Sequence, residues 1–162
     1  HINPIKASYT VAMADALARY NAGEPILFYT WTPNWTVYKL KPGKDVMWIN
    51  VPEIIPMESQ KGFEDAMVKK NIEGAVTDPI KMGFPANDIQ VVANSEFLKK
   101  NPAIAKLFKV MSIPLEDIAR QNNKMFEGEN TEKDVDRHVD EWIENNRETW
   151  SKWLEEARAA AK

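Results

Sequence analysis

The spacing of apolar residues changes near residue 94. Before that point, short apolar runs are separated by proline, glycine and asparagine, as is typical of strands and short helices joined by turns. This part predicts helices over 8–22 and 33–39 and strands over 26–31, 46–50 and 89–93. After residue 94, apolar positions recur three and four residues apart, which predicts helices. The pattern therefore indicates an α/β segment followed by a helix-rich segment.

The helix-rich segment has recognisable starts and stops. Ser95 is expected to cap a helix over 96–100, and Asn101 with Pro102 opens the next one. A third helix ends near Gly128, and Thr131 with Asp134 resembles a capping box in front of the fourth. The stripes expected to be buried are Ile104, Leu107, Phe108 and Met111; Leu115, Ile118, Ala119, Asn122, Met125 and Phe126; Val135, Val139, Trp142 and Ile143; and Trp150, Trp153, Leu154 and Ala157.

Turn residues subdivide the first segment. Gly23 is expected to take the left-handed position that ends the first helix, and 41–44 to form a turn. The continuous apolar run within 46–50 indicates a strand that is buried on both faces. Residues 52–87 contain four prolines and three glycines. They predict a loop with one or two helical turns, among them a short helix over 63–70.

The stretch 27–35 contains the most informative pattern in the chain. As a strand, it places Phe28 and Thr30 on one face and Leu27, Tyr29 and Trp31 on the other. Trp31 then lies at the carboxyl end of a strand, which is where open α/β sheets bind ligands. Its indole is either a core residue or a wall of a binding pocket, and composition alone favours the core.

A helix is expected to begin directly after this strand. Thr32 is a suitable N-cap, and proline is favoured at the first helical position, here Pro33. The stretch therefore predicts a strand-to-helix turn just beyond Trp31.

Composition limits the class of protein. The 162 residues suffice for one domain or two small lobes, and 44% apolar with 28% charged residues is typical of a globular chain. The net charge of −3 argues against a nucleic-acid surface. There is no cysteine, which excludes thiol catalysis. No apolar run approaches the roughly 20 residues of a membrane span, and residues 1–4 do not resemble a signal peptide.

The polar residues do not form a recognisable catalytic or metal-binding pattern. Nucleophile elbows, phosphate-binding loops and zinc-binding helix motifs are absent from the sequence. His138 lies between Asp136 and Asp140 on a predicted helix, where positions two apart do not face each other, so it is not expected to bind a metal. The candidate carboxylates Glu53, Glu58, Glu64 and Asp65 are not spaced against a nucleophile or base. We expect no enzyme activity, cofactor or metal.

Five segments of the chain, taken in order, resemble the substrate-binding proteins of ABC importers for glycine betaine and proline betaine, of the periplasmic ProX type. They are 23–35, 40–48, 100–108, 138–143 and 153–162. The likeness is weakest over 53–82, which resembles an insertion. Proteins of this family have two α/β lobes with the ligand in the cleft between them, the type II periplasmic-binding-protein fold.

The resemblance implies that this chain corresponds to the C-terminal half of such a protein. Residues 1–88 would form part of the second α/β lobe. Residues 89–162 would supply a return strand and C-terminal helices that pack on the first lobe.

The resemblance also gives Trp31 a role. A quaternary ammonium has no N–H group to donate, so the family encloses it with several tryptophan rings, each of which contributes about 0.5–2 kcal/mol. Trp31 matches one of these walls, and the other walls lie in family segments that this chain lacks. The remaining aromatic residues are expected to be core: Trp35, Tyr38, Trp48, Trp142, Trp150 and Trp153.

The expected function is therefore that of a solute-binding component of an ABC transporter for glycine betaine. Its expected location is the periplasm, or the cell exterior with a lipid anchor that holds it to the membrane. It would deliver its ligand to the permease subunits. The isolated chain should bind betaine poorly, and its uncovered apolar surface favours dimerisation or segment swapping. The alternatives are a binder of choline, carnitine or proline betaine with the same fold, or a helical interaction module without a small ligand.

Overall fold

The computed structural model describes residues 6–161, in which helices predominate. The α-helices are α1 Tyr9–Asn21, α2 Trp35–Lys39, α3 Ser95–Lys100, α4 Pro102–Val110, α5 Leu115–Phe126, α6 Glu132–Asn145 and α7 Arg147–Ala159. Two 3₁₀ turns, Glu58–Gln60 and Glu64–Met67, precede a two-stranded antiparallel ribbon of β1 Val68–Lys69 and β2 Ile80–Lys81. Residues 1–5 of the predicted domain 1–88 and residue 162 of the predicted domain 89–162 lie outside the described residues. No helix over 6–161 is long and apolar enough to cross a membrane.

Helix α1 confirms the prediction for 8–22, including its end. Gly23 has a φ of +75°, and its N–H donates to the Tyr20 carbonyl at 2.9 Å while the Glu24 N–H donates to the Arg19 carbonyl at 2.9 Å. This is the Schellman arrangement, which satisfies the last carbonyls of a helix. The inner face of α1 is anchored by Met13 and Ala16.

Residues 26–31 form no ladder with any described segment, so the predicted strand is wrong as an assignment. The predicted alternation is nevertheless present. Phe28 and Thr30 are half-buried, whereas Leu27, Tyr29 and Trp31 are exposed. A strand requires a hydrogen-bonded neighbour as well as alternating side chains, and no segment within 6–161 supplies one.

The predicted strand over 89–93 is wrong for the same reason. The segment has no ladder partner among the described residues, and Ile89, Val91 and Val92 are exposed, Val92 to 94%. Its β-branched residues indicate a preference for extended structure, but this preference is weak without packing.

The predicted strand over 46–50 is reduced to two isolated parallel bridges, between Val46 and Pro42 and between Trp48 and Ala75. The Trp48 N–H donates to the Gly74 carbonyl at 2.8 Å and the Val76 N–H to the Trp48 carbonyl at 2.9 Å. Met47 and Ile49 are exposed, so burial on both faces was a wrong prediction. The run is covered on the Trp48 side only, by residues of the following loop.

The loop prediction for 52–87 is confirmed in outline by two 3₁₀ turns and the short ribbon. The helix predicted over 63–70 is limited to the 3₁₀ turn Glu64–Met67, because Val68 and Lys69 pair with Lys81 and Ile80. Met67 and Ile80 are buried together with this ribbon. They are the two buried apolar side chains of this loop.

The N-caps of α2 and α3 are both asparagines, whereas the sequence pattern predicts threonine and serine. Asn34, not Thr32, caps α2 by accepting the Thr36 N–H at 3.0 Å. Asn94, not Ser95, caps α3 by accepting the Phe97 N–H at 3.0 Å. Asparagine ranks with serine at this position, so sequence alone does not separate neighbouring candidates. The capping box of Thr131 and Asp134 on α6 is confirmed.

The C-terminal helices form two contacts that organise the fold. Helix α4 packs on α7, and α5 packs on α2. In the second contact, the Trp35 and Phe126 rings stack with centroids 3.8 Å apart and planes 7° apart. On α7, Trp153 is buried and stacks on Trp142 with centroids 5.7 Å apart.

The buried stripes differ from the prediction in places. On α6, Val135, Trp142 and Ile143 are half-buried on the predicted face, but His138 is buried and Val139 is exposed. On α5, Ala119 and Asn123 are the buried residues, and Leu115, Met125 and Phe126 stay more exposed than expected. A stripe predicts which face turns inward but not how completely the neighbouring helix covers it.

Substitution of Gly74 should destabilise the fold, because its backbone lies close to that of Gly43. A Cβ added to Gly74, whose φ is +73°, would lie 2.3 Å from the Gly43 nitrogen and 2.4 Å from the Pro42 carbonyl carbon. We expect Gly74→Ala to lower the free energy of unfolding by about 2 kcal/mol more than Gly62→Ala. Gly62 has a similar φ of +89° but no atom within 4 Å of its added Cβ, so this control isolates the clash. Equal urea midpoints for the two variants would contradict the close approach.

Trp35 should be the tryptophan on which stability depends most. It is buried in one cluster with Met13 and Ala16, and it also stacks on Phe126. We expect Trp35→Ala to lower the free energy of unfolding by about 3–5 kcal/mol, the range for buried aromatic truncation. Val11→Ala on the exposed side of α1 is the control and should change it by less than about 0.5 kcal/mol. Similar chemical-denaturation curves for both variants would show that Trp35 is not core.

Stability should fall in acid because carboxylates around Arg137 are stabilised in their charged form. Hydrogen bonds from Arg137, and then from His138, lower the pKa of Glu129. Hydrogen bonds from Lys124, and then from Arg137, lower the pKa of Glu141. A lowered folded-state pKa gives stability that is present above the unfolded value, 4.5 for glutamate, and is lost as pH falls through the folded value.

We expect the melting temperature to decline between about pH 5.5 and pH 3.5, and to decline less in Arg137→Gln, which removes the largest cause of the Glu129 shift. Arg147→Gln is the matched control because Arg147 pairs only with Glu144 in the described structure. A profile of equal slope in Arg137→Gln and the unmodified chain would contradict this assignment.

Candidate ligand-binding surface

Trp31 lies on the surface, in the turn that leads into α2. The turn contains a cis peptide bond between Thr32 and Pro33, and it ends where Asn34 caps the helix. Trp31 is 44% exposed, whereas Asn34, Trp35 and Thr36 directly after the turn are buried. The turn therefore presents one indole outward and, four residues later, another inward.

Three aromatic residues extend the surface around Trp31. The Tyr9 ring lies 4.9 Å from the Trp31 ring at an interplanar angle of 43°, and the Tyr29 ring lies 5.8 Å away at 38°. Phe84 continues the row, with its centroid 5.4 Å from that of Tyr29. We call Tyr9, Tyr29, Trp31 and Phe84 the aromatic surface. It combines α1, the segment before α2 and the loop over 52–87.

A chain of hydrogen bonds lies beside the aromatic surface. The Tyr9 hydroxyl donates to Thr30 Oγ1 at 2.9 Å and lies 3.0 Å from Thr36 Oγ1. Thr30 Oγ1 and Thr36 Oγ1 are hydrogen-bonded to each other. Thr36 Oγ1 donates to Asn34 Oδ1 at 3.0 Å. We call Tyr9, Thr30, Thr36 and Asn34 the hydroxyl chain. Because Thr36 and Asn34 are buried, these bonds satisfy polar groups that would otherwise be costly to bury.

The other tryptophans lie elsewhere and have different environments. Trp35 is buried, which confirms its prediction as core, and Trp153 is buried on α7. Trp48, Trp142 and Trp150 are half-buried, as is Tyr38. Within residues 6–161, Trp31 is the only tryptophan whose side chain is exposed.

Trp31, Tyr29 and Phe84 are 44%, 57% and 52% exposed, so the described residues leave this surface open. One surface pocket lies between α4 and α7, lined by Val110 and Lys152 among others, and a second lies at Gly43 and Gly74. Neither is lined by Trp31. Over 6–161, no group of three or more His, Asp or Glu side chains is placed to hold a metal ion. The aromatic surface is therefore an open platform rather than a closed pocket.

Sequence reasoning identified Trp31 and placed Tyr29 on its face, but it missed two members of the surface. Tyr9 lies at the first position of α1 and Phe84 in the proline- and glycine-rich loop. Neither position has a periodicity that relates it to residue 31. Only the folded chain brings them within ring contact.

The sequence profile that matches the chain describes the substrate-binding domain of ABC-type glycine betaine transport systems, and it matches residues 1–145. Three curated relatives are similar over nearly the whole chain. A glycine betaine/proline betaine-binding periplasmic protein of Salmonella typhimurium is 42% identical over 156 residues, 96% of this chain and 44% of the relative.

The glycine betaine-binding periplasmic protein OusX of Dickeya dadantii is 41% identical over 161 residues, 99% of this chain and 46% of the relative. The glycine betaine/proline betaine-binding periplasmic protein of Escherichia coli is 40% identical over 157 residues, 97% of this chain and 44% of the relative. The chain thus spans about half the length of the curated relatives that it matches. The profile match and these identities show that the chain belongs to the family of substrate-binding domains of ABC-type glycine betaine transport systems.

Proposed function

We propose that this chain supplies one part of the betaine-binding site of an ABC importer's solute-binding protein, with Trp31 stacking on the trimethylammonium group. The observation that carries the proposal is an exposed indole, held among other aromatic rings, in a chain whose family is defined by glycine betaine transport. In this role the chain binds and releases its ligand without chemical change, and it acts as a receptor rather than an enzyme.

The chemistry of the ligand explains why an aromatic surface suits it. A quaternary ammonium spreads its positive charge over methyl groups and has no hydrogen-bond donor, so it is recognised by the negative face of aromatic rings. One ring contributes about 0.5–1 kcal/mol while exposed and about 2 kcal/mol once water is excluded. The open platform at Trp31 is therefore weak by itself, and further walls are needed to enclose the cation.

The remaining walls would come from a second lobe that closes over Trp31, in a two-lobed fold of the type II class. The described chain spans about half of its relatives, and residues 27, 29 and 92 expose apolar side chains in segments without a ladder partner. Residues 1–88 would belong to the lobe that carries Trp31, and 89–162 would lead back to the other one. Closure is a population shift, so the ligand must bind the closed state more tightly than the open one.

The closed form would then be recognised by the membrane subunits of the importer, on the outer side of the cytoplasmic membrane. The periplasmic location of the three relatives supports this assignment. A second copy of the chain is the alternative source of cover for the exposed segments, and a dimeric mass in solution would favour it.

Proline betaine is a second candidate ligand, because two of the relatives are named for it as well. It has the same quaternary nitrogen, enclosed in a ring. Competition titrations between the two betaines, with choline and carnitine included, would rank the ligands. A chain that serves only as a helical interaction module would respond to none of them.

Trp31→Ala should weaken glycine betaine binding by more than tenfold, since loss of a desolvated cation–ring contact of about 2 kcal/mol exceeds the 1.4 kcal/mol that a factor of ten represents. We would measure this by calorimetric titration of a chimeric receptor. In that receptor, residues 1–162 replace the matched part of the Salmonella protein.

Phe63→Ala is the matched control, because Phe63 is an exposed aromatic side chain outside the aromatic surface and its loss should leave affinity unchanged. Trp31→Phe keeps a ring and should lose less affinity than Trp31→Ala. A chimera that binds betaine equally well with and without the indole would remove Trp31 from the site.

A further inference from the structure

Tyr9 is the residue that connects helix α1 to the turn carrying Trp31. Its ring contacts the Trp31 indole at a centroid distance of 4.9 Å, and its hydroxyl reaches Thr30 and Thr36 at 2.9 and 3.0 Å. It also meets Trp35 edge-on, with centroids 6.4 Å apart. One side chain therefore touches the outward indole, the inward indole and the hydroxyl chain.

We propose that Tyr9 is a positioning residue for Trp31. Its ring supports the indole, and its hydroxyl holds that ring in place through the hydroxyl chain. This inference rests on the proposed role of Trp31 in betaine binding. It adds a residue that acts through Trp31 and does not itself contact the ligand.

The hydroxyl chain holds the turn at both of its ends. Thr30 directly precedes Trp31, and Asn34 follows it by three residues. Hydrogen bonds run from Tyr9 to Thr30, from Thr30 to Thr36, and from Thr36 to Asn34. Each hydroxyl donates one hydrogen bond in this sequence, and such chains polarise one another and strengthen cooperatively. The backbone on both sides of Trp31 is thus held by hydrogen bonds, at Thr30 and at Asn34, and the series of bonds begins at the Tyr9 hydroxyl.

The buried end of the hydroxyl chain is shielded from solvent. Thr36 is 1% exposed and Asn34 is 5% exposed, so the last bonds of the chain are protected from competing water. Asn34 Oδ1 accepts the Thr36 N–H at 3.0 Å in addition to the Thr36 hydroxyl. The same atom therefore caps α2 and ends the hydroxyl chain, and a loss at Tyr9 is transmitted to the start of the helix.

Ring contact alone does not explain the arrangement, because Tyr29 also contacts Trp31. Its ring lies 5.8 Å from the indole at 38°, against 4.9 Å and 43° for Tyr9. The Tyr29 hydroxyl, however, makes no hydrogen bond within residues 6–161, and Tyr29 is 57% exposed. The two tyrosines thus form a natural pair for comparison, since both touch the indole and only one is tethered.

The hydrogen bonds of the Tyr9 hydroxyl should affect ligand affinity, because they orient the Trp31 ring before the ligand binds. A single indole gains most from a cation when its face is already oriented, because ordering a side chain at the moment of binding costs free energy. A Trp31 without its support would still be present in the site but would sample more orientations. Loss of the Tyr9 hydroxyl should therefore reduce affinity by less than loss of the indole itself.

The decisive experiment compares Tyr9→Phe with Tyr29→Phe by nuclear magnetic resonance of the full chain. Six tryptophans give six indole N–H resonances, and the one lost in Trp31→Phe identifies Trp31. We expect Tyr9→Phe to shift or broaden the Trp31 resonance and its neighbour Trp35 while leaving Trp142, Trp150 and Trp153 unchanged. Tyr29→Phe should leave all of them nearly in place.

The affinity of the chimeric receptor for glycine betaine provides the second readout. We expect Tyr9→Phe to weaken binding about threefold to tenfold. The control for affinity is Tyr38→Phe, at a half-buried tyrosine outside the aromatic surface, which should change binding by less than about twofold. Thr30→Val breaks the hydroxyl chain while keeping both rings, and it should reproduce the effect of Tyr9→Phe on the Trp31 resonance. If Tyr9→Phe fails to fold, Thr30→Val tests the inference in its place.

Two results would overturn the inference. One is an unchanged Trp31 resonance and unchanged affinity in both Tyr9→Phe and Thr30→Val. The other is a uniform shift of all six indole resonances, which would indicate a general structural role. Failure of the proposed function looks different, because Trp31→Ala would then leave betaine affinity intact whatever Tyr9 does to the resonance.

Discussion

The packing of Trp35 between two helices holds the described chain together. On one side it shares a buried cluster with Met13 and Ala16 of α1, and on the other it stacks on Phe126 of α5. Helix α2 is only five residues long, too short to be stable by itself. Its first residue is enclosed by α1 and α5, two helices that are far apart in the sequence, and this packing stabilises the helix. The orientation of the turn before it, and thus of Trp31, follows from this enclosure.

Trp31 and Trp35 differ in exposure although they belong to one short segment, and under the proposed function that segment would serve both stability and recognition. The inward indole gains from burial, while the outward indole remains available to a ligand that only an aromatic face can attract. The hydroxyl chain separates the two functions, since it fixes the backbone between them without occupying the open side. The hydroxyl and amide groups beside Trp31 bond to one another rather than pointing to the open side.

The segments without ladders and the open aromatic surface share a physical cause. Extended segments are stabilised by hydrogen bonds to neighbours, and a cation is enclosed by walls on several sides. Neither kind of partner is present within residues 6–161, and the chain spans about half the length of its relatives. The helices do not share this dependence, since their backbone bonds are internal. They therefore form close to where the pattern predicts them, except over 63–70, where only the 3₁₀ turn Glu64–Met67 forms.

Local chemistry explains which features could be inferred without a structure. The end of α1 at Gly23, the capping box of Thr131 and Asp134, and the alternation around Trp31 depend on neighbouring residues alone, and the sequence was sufficient for each. Pairing of β1 with β2, the close approach of Gly74 to Gly43, and the stack of Trp35 on Phe126 join residues that are distant in sequence. The same is true of the support that Tyr9 and Phe84 give to the aromatic surface. Periodicity cannot reveal such contacts, because it records which face a residue occupies and not which distant residue will meet it.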